Sequence, residues 1–149
     1  MTSEPNSPVE GQVGPCGIVC AACDLGNGSV AQTARRLNEY LKFYQVPSWA
    51  SQVPGGSEVD FSQLEKALNW LQTYALCFGC ERGGGPPDCG IRNCSREKGY
   101  ELCSECSDLE ACRKFDWLGE TAGRLKKRLM ESKGKSKQDI IEAASKAKR

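Results

Sequence analysis

The sequence predicts a small, mainly α fold, with three to four helices packed around cysteine-rich, metal-stapled loops. Three observations carry that expectation. Ten cysteines occur in 149 residues with no histidine at all. Apolar residues recur at steps of three and four in three separate stretches, the mark of a helix with one buried face. Between Cys77 and Cys112 the chain holds seven of the cysteines and little apolar material, so that stretch needs a staple to fold.

The first helix is expected from Ser29, where Ser29-Val30-Ala31-Gln32 forms a capping box, with Val30, Ala34, Leu37, Leu41 and Tyr44 on one face. Pro47 is expected to end it, because proline removes a backbone donor and clashes with the preceding turn. Residues 51–59 read as a Pro/Gly loop. Asp60 is positioned to cap a second helix carrying Phe61, Leu64, Leu68, Leu71 and Ala75 along one stripe, widened by Trp70 and Tyr74 as core aromatics. Ser107-Asp108-Leu109-Glu110 is another capping box, which places Cys112 in the first turns of a short helix. A last helix is expected over about 117–132, with Leu118, Ala122, Leu125 and Leu129 inward. The expected organisation is a disordered tail over 1–14, one cysteine-rich metal-binding domain over 15–132, and a basic tail over 133–149. That last tail reads equally as helix or as unstructured chain around Ile140-Ile141.

The compartment decides which staple applies. Residues 1–14, MTSEPNSPVEGQVG, have no positive start, apolar run or small-residue cleavage pattern. No stretch approaches the roughly 18 apolar residues that span a bilayer. A cytoplasmic protein with reduced thiols is therefore expected, which favours metal over disulfides and makes the sequons at Asn27 and Asn93 accidental.

The spacing is Cys16-x3-Cys20-x2-Cys23, Cys77-x2-Cys80, Cys89-x4-Cys94, Cys103-x2-Cys106, then Cys112. A C-x2-C pair turns two thiolates from one tight loop onto a single ion, with sulfurs about 2.3 Å from zinc and four ligands in a tetrahedron. All ten cysteines are candidate ligands, and four sulfurs per ion allow two zinc ions per chain. Without histidine, mixed Cys/His fingers are excluded. Soft thiolates also suit an iron–sulfur cluster, as in an electron carrier or enzyme accessory, so that alternative stays open. The contiguous ferredoxin run is absent. The first triplet has the spacing of the radical S-adenosylmethionine signature, but the strand–helix alternation of that fold is missing. Two ligand partitions are compatible with the spacing. One joins Cys77/Cys80 to Cys103/Cys106. The other uses Cys77, Cys80, Cys89 and Cys94, leaving Cys16, Cys20 and Cys23 to join a later cysteine. Closing the longer loop costs only about 0.9 kcal/mol more, so loop entropy does not choose.

Pro15-Cys16-Gly17-Ile18-Val19-Cys20-Ala21-Ala22-Cys23 resembles the N-terminal motif of the bacterial and archaeal family known as domain of unknown function 3795. The likeness continues through Cys77-Phe78-Gly79-Cys80, Cys89-Gly90-Ile91-Arg92-Asn93-Cys94 and Glu97-Lys98-Gly99-Tyr100-Glu101-Leu102-Cys103-Ser104-Glu105-Cys106 to Cys112. Where members often carry Phe-Pro before the last cysteine, this chain has Glu110-Ala111. The resemblance implies a metal-binding module and brings no activity with it.

No catalytic constellation is visible: there is no Ser/Cys-His pair, no G-x-S-x-G elbow, and Gly83-Gly84-Gly85 lacks the Gly-Lys-Ser/Thr that cradles phosphate. Cys112, beside Arg113 and Lys114, is the one thiol singled out as a candidate for reactivity. Charge is uneven: residues 124–149 hold ten Lys/Arg against three acids, and residues 1–123 hold ten against sixteen. The basic end, from Arg124 and Lys126 to Arg149, makes a nucleic-acid-binding zinc protein the second alternative. Aromatics suited to base stacking are absent after Trp117, so no specific DNA or RNA binding at physiological salt is expected. Partner and substrate are not identified by sequence, and no membrane partner is expected.

Overall fold

The computed structural model describes residues 9–147, and the expectations for residues 1–8 and for Lys148 and Arg149 of the basic end lie outside them. The described residues are mainly helical, with six α-helices and six short 3-10 turns, more than the three to four helices expected. Their only extended pairing is one antiparallel bridge between Val13 and Val19. No described helix is long and apolar enough to cross a membrane. The chain divides into two compact units, one comprising residues 28–76 and the other the flanking residues 1–27 and 77–149.

The inserted unit is built on α1 (Ser29–Phe43), a short α2 (Val46–Trp49) and α3 (Phe61–Tyr74). Gly28, at φ +81°, caps α1, a conformation that suits a residue without Cβ. Asp60 caps α3 as expected, its Oδ1 accepting from the Gln63 amide at 3.1 Å. Ala34 and Leu68 are buried where α1 packs on α3, and the buried Asn38 donates through Nδ2 to Asn69 Oδ1 at 3.1 Å. Two expectations need correction. Pro47 does not end α1, which stops at Phe43; after Gln45 at φ +48° the proline sits in the first turn of α2, where its missing donor costs nothing. Trp70 and Tyr74 are not core aromatics: they are 58% and 66% exposed. Trp70 lies two residues beyond the buried Leu68, about 200° around the helix, so it points away from α1. Leu37 and Tyr44 are likewise exposed, because the α1 face turns on Ala34, Asn38 and Leu41.

The second unit has two apolar centres. Ile91, Leu109, Phe115, Leu125 and Leu129 form one, with Leu118 and Ala122 packed against it. Of the inward face expected of the C-terminal helix, Ala122, Leu125 and Leu129 lie on α5 (Glu120–Glu131), whereas Leu118 ends the 3-10 segment before it. That helix starts later than expected because Arg113–Leu118 is 3-10 and Gly119, at φ +56°, breaks the path. The Ser107 capping box starts no helix: residues 107–111 are turns, and Cys112 precedes the 3-10 segment. The stretch expected as loops contains α4 (Gly90–Lys98), which buries Ile91, Arg92 and Ser95 and ends at Gly99 in the left-handed conformation.

Val13, Val19 and Leu102 make the second centre, covered by Ile140, Ile141 and Ala144. Those three belong to α6 (Lys137–Ala147), so the basic C-terminal stretch is helical there and packed by one face. Ser136 and Asp139 cap it reciprocally: the Ser136 amide donates to Asp139 Oδ2 at 2.8 Å, and the Asp139 amide donates to the Ser136 hydroxyl at 3.2 Å. At the other end the expected tail also takes part in the fold, since Val9, Gln12 and Val13 are buried.

Phe115 is 1% exposed at the centre of the first cluster. Phe115→Ala should destabilise the cysteine-bearing unit by about 3–5 kcal/mol, read as a lower midpoint in denaturant unfolding monitored by fluorescence in a Trp49→Phe/Trp70→Phe background that leaves Trp117 as the reporter.

Candidate metal centre

All ten cysteines lie in one unit, contributed by chain segments on both sides of the insertion. All ten are free thiols; Cys20 is buried and the other nine are partly buried. The first segment is folded by short-range bonds. The Gly14 amide donates to Ile18 O at 2.9 Å, the Cys20 amide to Gln12 O at 3.0 Å, and the Cys23 amide to Cys20 O at 3.1 Å. After the insertion the chain returns to the same place: the Cys77 amide donates to Leu25 O at 3.1 Å. Cys77-Phe78-Gly79-Cys80 then forms a tight loop in which the Gly79 amide donates to Cys77 Sγ at 3.4 Å.

Gln12 locks that loop from outside it. Its Nε2 donates to Phe78 O at 3.3 Å, and its Oε1 accepts from the Glu81 amide at 3.4 Å. The fit leaves no room at Gly79, which is at φ +89°; a Cβ there would collide with the Gln12 carboxamide. At Gly84 a Cβ would meet Cys77 Sγ and the Gly79 nitrogen, both at 2.7 Å.

The thiols fall into neighbourhoods. Cys20 lies within electrostatic reach of Cys80, Cys77 and Cys23, and its sulfur accepts from the Cys80 amide. Cys16 and Cys80 converge on Gly14, whose Cβ would stand 3.3 and 3.2 Å from their sulfurs. Cys103, in a turn held by Glu105 Oε2 accepting from the Leu102 amide at 3.0 Å, feels Cys16, Cys112, Cys106 and Cys94. Neither partition expected from spacing describes this grouping, which sets Cys77 and Cys80 beside Cys20 and Cys23. Cys112 is half-buried against the apolar cluster with Cys16, Cys89 and Cys103.

Burial governs the protonation of the inner thiols. It pushes Cys16 and Cys20 up to about 11, partly opposed by amide donors from Ile18 and Cys80 respectively. It pushes Cys103 to about 12, with the neighbouring thiolates adding to the rise. Cys80 is also raised by burial, against the pull of the Arg92 charge. These thiols hold their protons at neutral pH unless a cation replaces them. Among the described residues no group of three or more Cys, Asp or Glu is arranged to hold a metal ion. The chemistry of the set nevertheless fits a soft cation: sulfur ligands only, backbone amides aimed at several sulfurs, and three C-x2-C loops, at Cys20/Cys23, Cys77/Cys80 and Cys103/Cys106.

The family's sequence profile matches residues 12–117, which takes in every cysteine. The chain belongs to that family, described as a protein of unknown function, DUF3795. No curated protein and no solved structure matches the chain. The match begins at Gln12, inside the segment expected from sequence to be a tail. Sequence reading passed over Gln12, Arg92 and Lys98, because a lone amide or cation beside a cysteine run carries no spacing signal.

Gly79→Ala should strain the backbone and displace Gln12, lowering stability by about 1–3 kcal/mol in thermal or denaturant unfolding. The same variant should titrate with a thiol reagent faster than wild type under native conditions, because its loop opens.

Proposed function

We propose that this member of the DUF3795 family is a zinc-binding protein whose all-cysteine sites hold its loops together. The observation that carries the reading is the meeting of thiols from sequence-distant segments, around Cys20, Cys23, Cys77 and Cys80, under backbone amides that donate to sulfur. An amide hydrogen bond stabilises a thiolate and is of little use to a thiol that merely fills space. Bound zinc would cross-link the loops and supply the stability that two small apolar centres leave short. The role is structural, and it belongs to a binding module rather than to an enzyme.

Protein purified under reducing conditions should contain about two zinc ions per chain by elemental analysis, the ceiling set by ten thiols and four ligands per ion. A strong chelator should lower its unfolding midpoint, and added zinc should restore it. Iron with acid-labile sulfide in place of zinc would assign the thiols to a cluster. Fresh reduced protein with neither metal would refute the reading.

A further inference from the structure

The inserted unit, residues 28–76, carries its aromatic side chains on the outside. Among its described residues Leu68 is the one large apolar side chain that is buried, whereas Leu37, Tyr40, Phe43, Tyr44, Trp70 and Tyr74 are all exposed. Phe43 and Tyr44 reach 78% and 61%. A unit this small is marginal even with a full core, and association commonly completes such folds.

The exposed aromatics share one side of a helix pair. α1 and α3 run antiparallel: Asn38 meets Asn69, and one turn further along α1 Lys42 meets Glu65, one turn earlier on α3. The Lys42–Glu65 pair, at 3.2 Å, marks one side. Tyr40 and Tyr44 lie about 160° around α1 from Lys42, and Trp70 and Tyr74 lie about 140° and 180° around α3 from Glu65. They therefore occupy the opposite side, and the rings meet within each helix. Phe43 stands edge-on to Tyr44 with centroids 5.0 Å apart, Tyr40 lies 6.4 Å from Tyr44, and Trp70 lies 5.8 Å from Tyr74.

Area, charge and geometry all suit a second copy as the cover. The five aromatic side chains, exposed by 50% to 78%, present about 600 Å² at roughly 200 Å² each, near the roughly 800 Å² that each partner gives to a standard interface. Charge offers no grip to a polyanion or an acidic peptide, because Arg35, Arg36, Lys42 and Lys66 are balanced by Glu39, Glu58, Asp60 and Glu65. A copy, equally neutral, meets no repulsion and brings the same aromatic surface. Arg36 lies 6.0 Å from the Tyr40 ring centroid and donates to its hydroxyl at 3.2 Å, adding the guanidinium that aromatic interfaces favour. Two antiparallel helix pairs laid side to side make a four-helix bundle.

We propose that the aromatic side of residues 28–76 pairs with the same side of a second copy of this chain, closing two helix pairs into a four-helix bundle. The contact is isologous, so the assembly stops at two chains.

The full chain, kept in reductant so that no disulfide links copies, should sediment at twice its 16.3 kDa mass. Tyr40→Gln/Tyr44→Gln and Trp70→Gln/Tyr74→Gln should each halve that mass, with helix content unchanged by circular dichroism. Lys42→Gln/Glu65→Gln, on the other side, should stay dimeric. In a Trp49→Phe/Trp117→Phe background, acrylamide should quench Trp70 well below the rate of an exposed indole, a readout that holds even where an aromatic variant fails to fold. A wild type of any other mass overturns the proposal, whether or not it binds a different protein. So does a dimer that survives both aromatic variants, one that Lys42→Gln/Glu65→Gln breaks, or a Trp70 that is quenched in full.

Discussion

The carboxamide of Gln12 reaches across 66 residues of sequence to the loop that carries Cys77 and Cys80, donating to Phe78 and accepting from Glu81. Its own backbone carbonyl takes the amide of Cys20. One residue thus ties together two thiol-bearing segments, the first of which also packs Ile18 and Val19 into the apolar centres. Its neighbour Val13 is 1% exposed in the second apolar centre, so the clamp is anchored in a core rather than hung on a loop. Gly79 follows from the same constraint: the backbone must pass close to the amide, and only a residue without Cβ allows it. The cysteine geometry downstream depends on this short segment.

Electrostatics in this unit run against the usual division of labour. Its described ion pairs lie toward the surface, such as Arg113 with Asp116 at 3.4 Å, and such exposed pairs contribute little. The buried charge is Arg92, and it faces carbonyls and sulfur. Burial raises several thiols at the same time, so the metal-free interior would hold neutral sulfur beside an unpaired cation. That combination is unfavourable twice over, because the cation lacks an anion and the amides aimed at sulfur lack a charge to stabilise. The metal ligation proposed above would relieve both conditions together, by leaving deprotonated sulfur. The arrangement of polar groups is therefore more informative here than the sulfur positions alone.

Where a local rule acts without competition, the structure was legible in the sequence. Asp60 caps α3, Leu68 lies inside, and Leu125 and Leu129 seal a core with Leu118 and Ala122. Legibility failed where tertiary context chose among local options. The Ser107 box starts only turns, whereas Ser136 and Asp139, not singled out, cap α6. α4 was hidden because its cysteine, glycine and charges resemble loop composition, and only Ile91 marks its inner face as apolar. Trp70 shows the opposite error: an aromatic within a helical stripe is assigned to the core by type, while its angle puts it outside. For the site, spacing identified the ligand candidates and the C-x2-C loops. It gave no grouping, because grouping depends on where the chain returns after the insertion.

That return explains how a helical unit can lie between Cys23 and Cys77 without harm to the thiol array. The Cys77 amide meets Leu25 O, so the insertion leaves and re-enters at one point and the cysteine segments continue as if adjacent. Closing a loop costs only about 0.6 kcal/mol for each doubling of its length, so a long excursion is hardly more expensive than a short one. A folded insertion also restricts its own ends, which lowers that cost further than for a flexible chain of equal length. The burden falls on the closing contacts, and these are few: one backbone bond at Leu25, the Gln12 bonds to Phe78 and Glu81, and the sulfurs themselves. Hydrogen bonds of this kind contribute roughly 1 kcal/mol each, too little to hold polar, glycine-rich loops closed against their conformational entropy. A shared ion between sulfurs of Cys20 or Cys23 and those of Cys77 or Cys80, as proposed above, would act at that junction, where the closing hydrogen bonds are few.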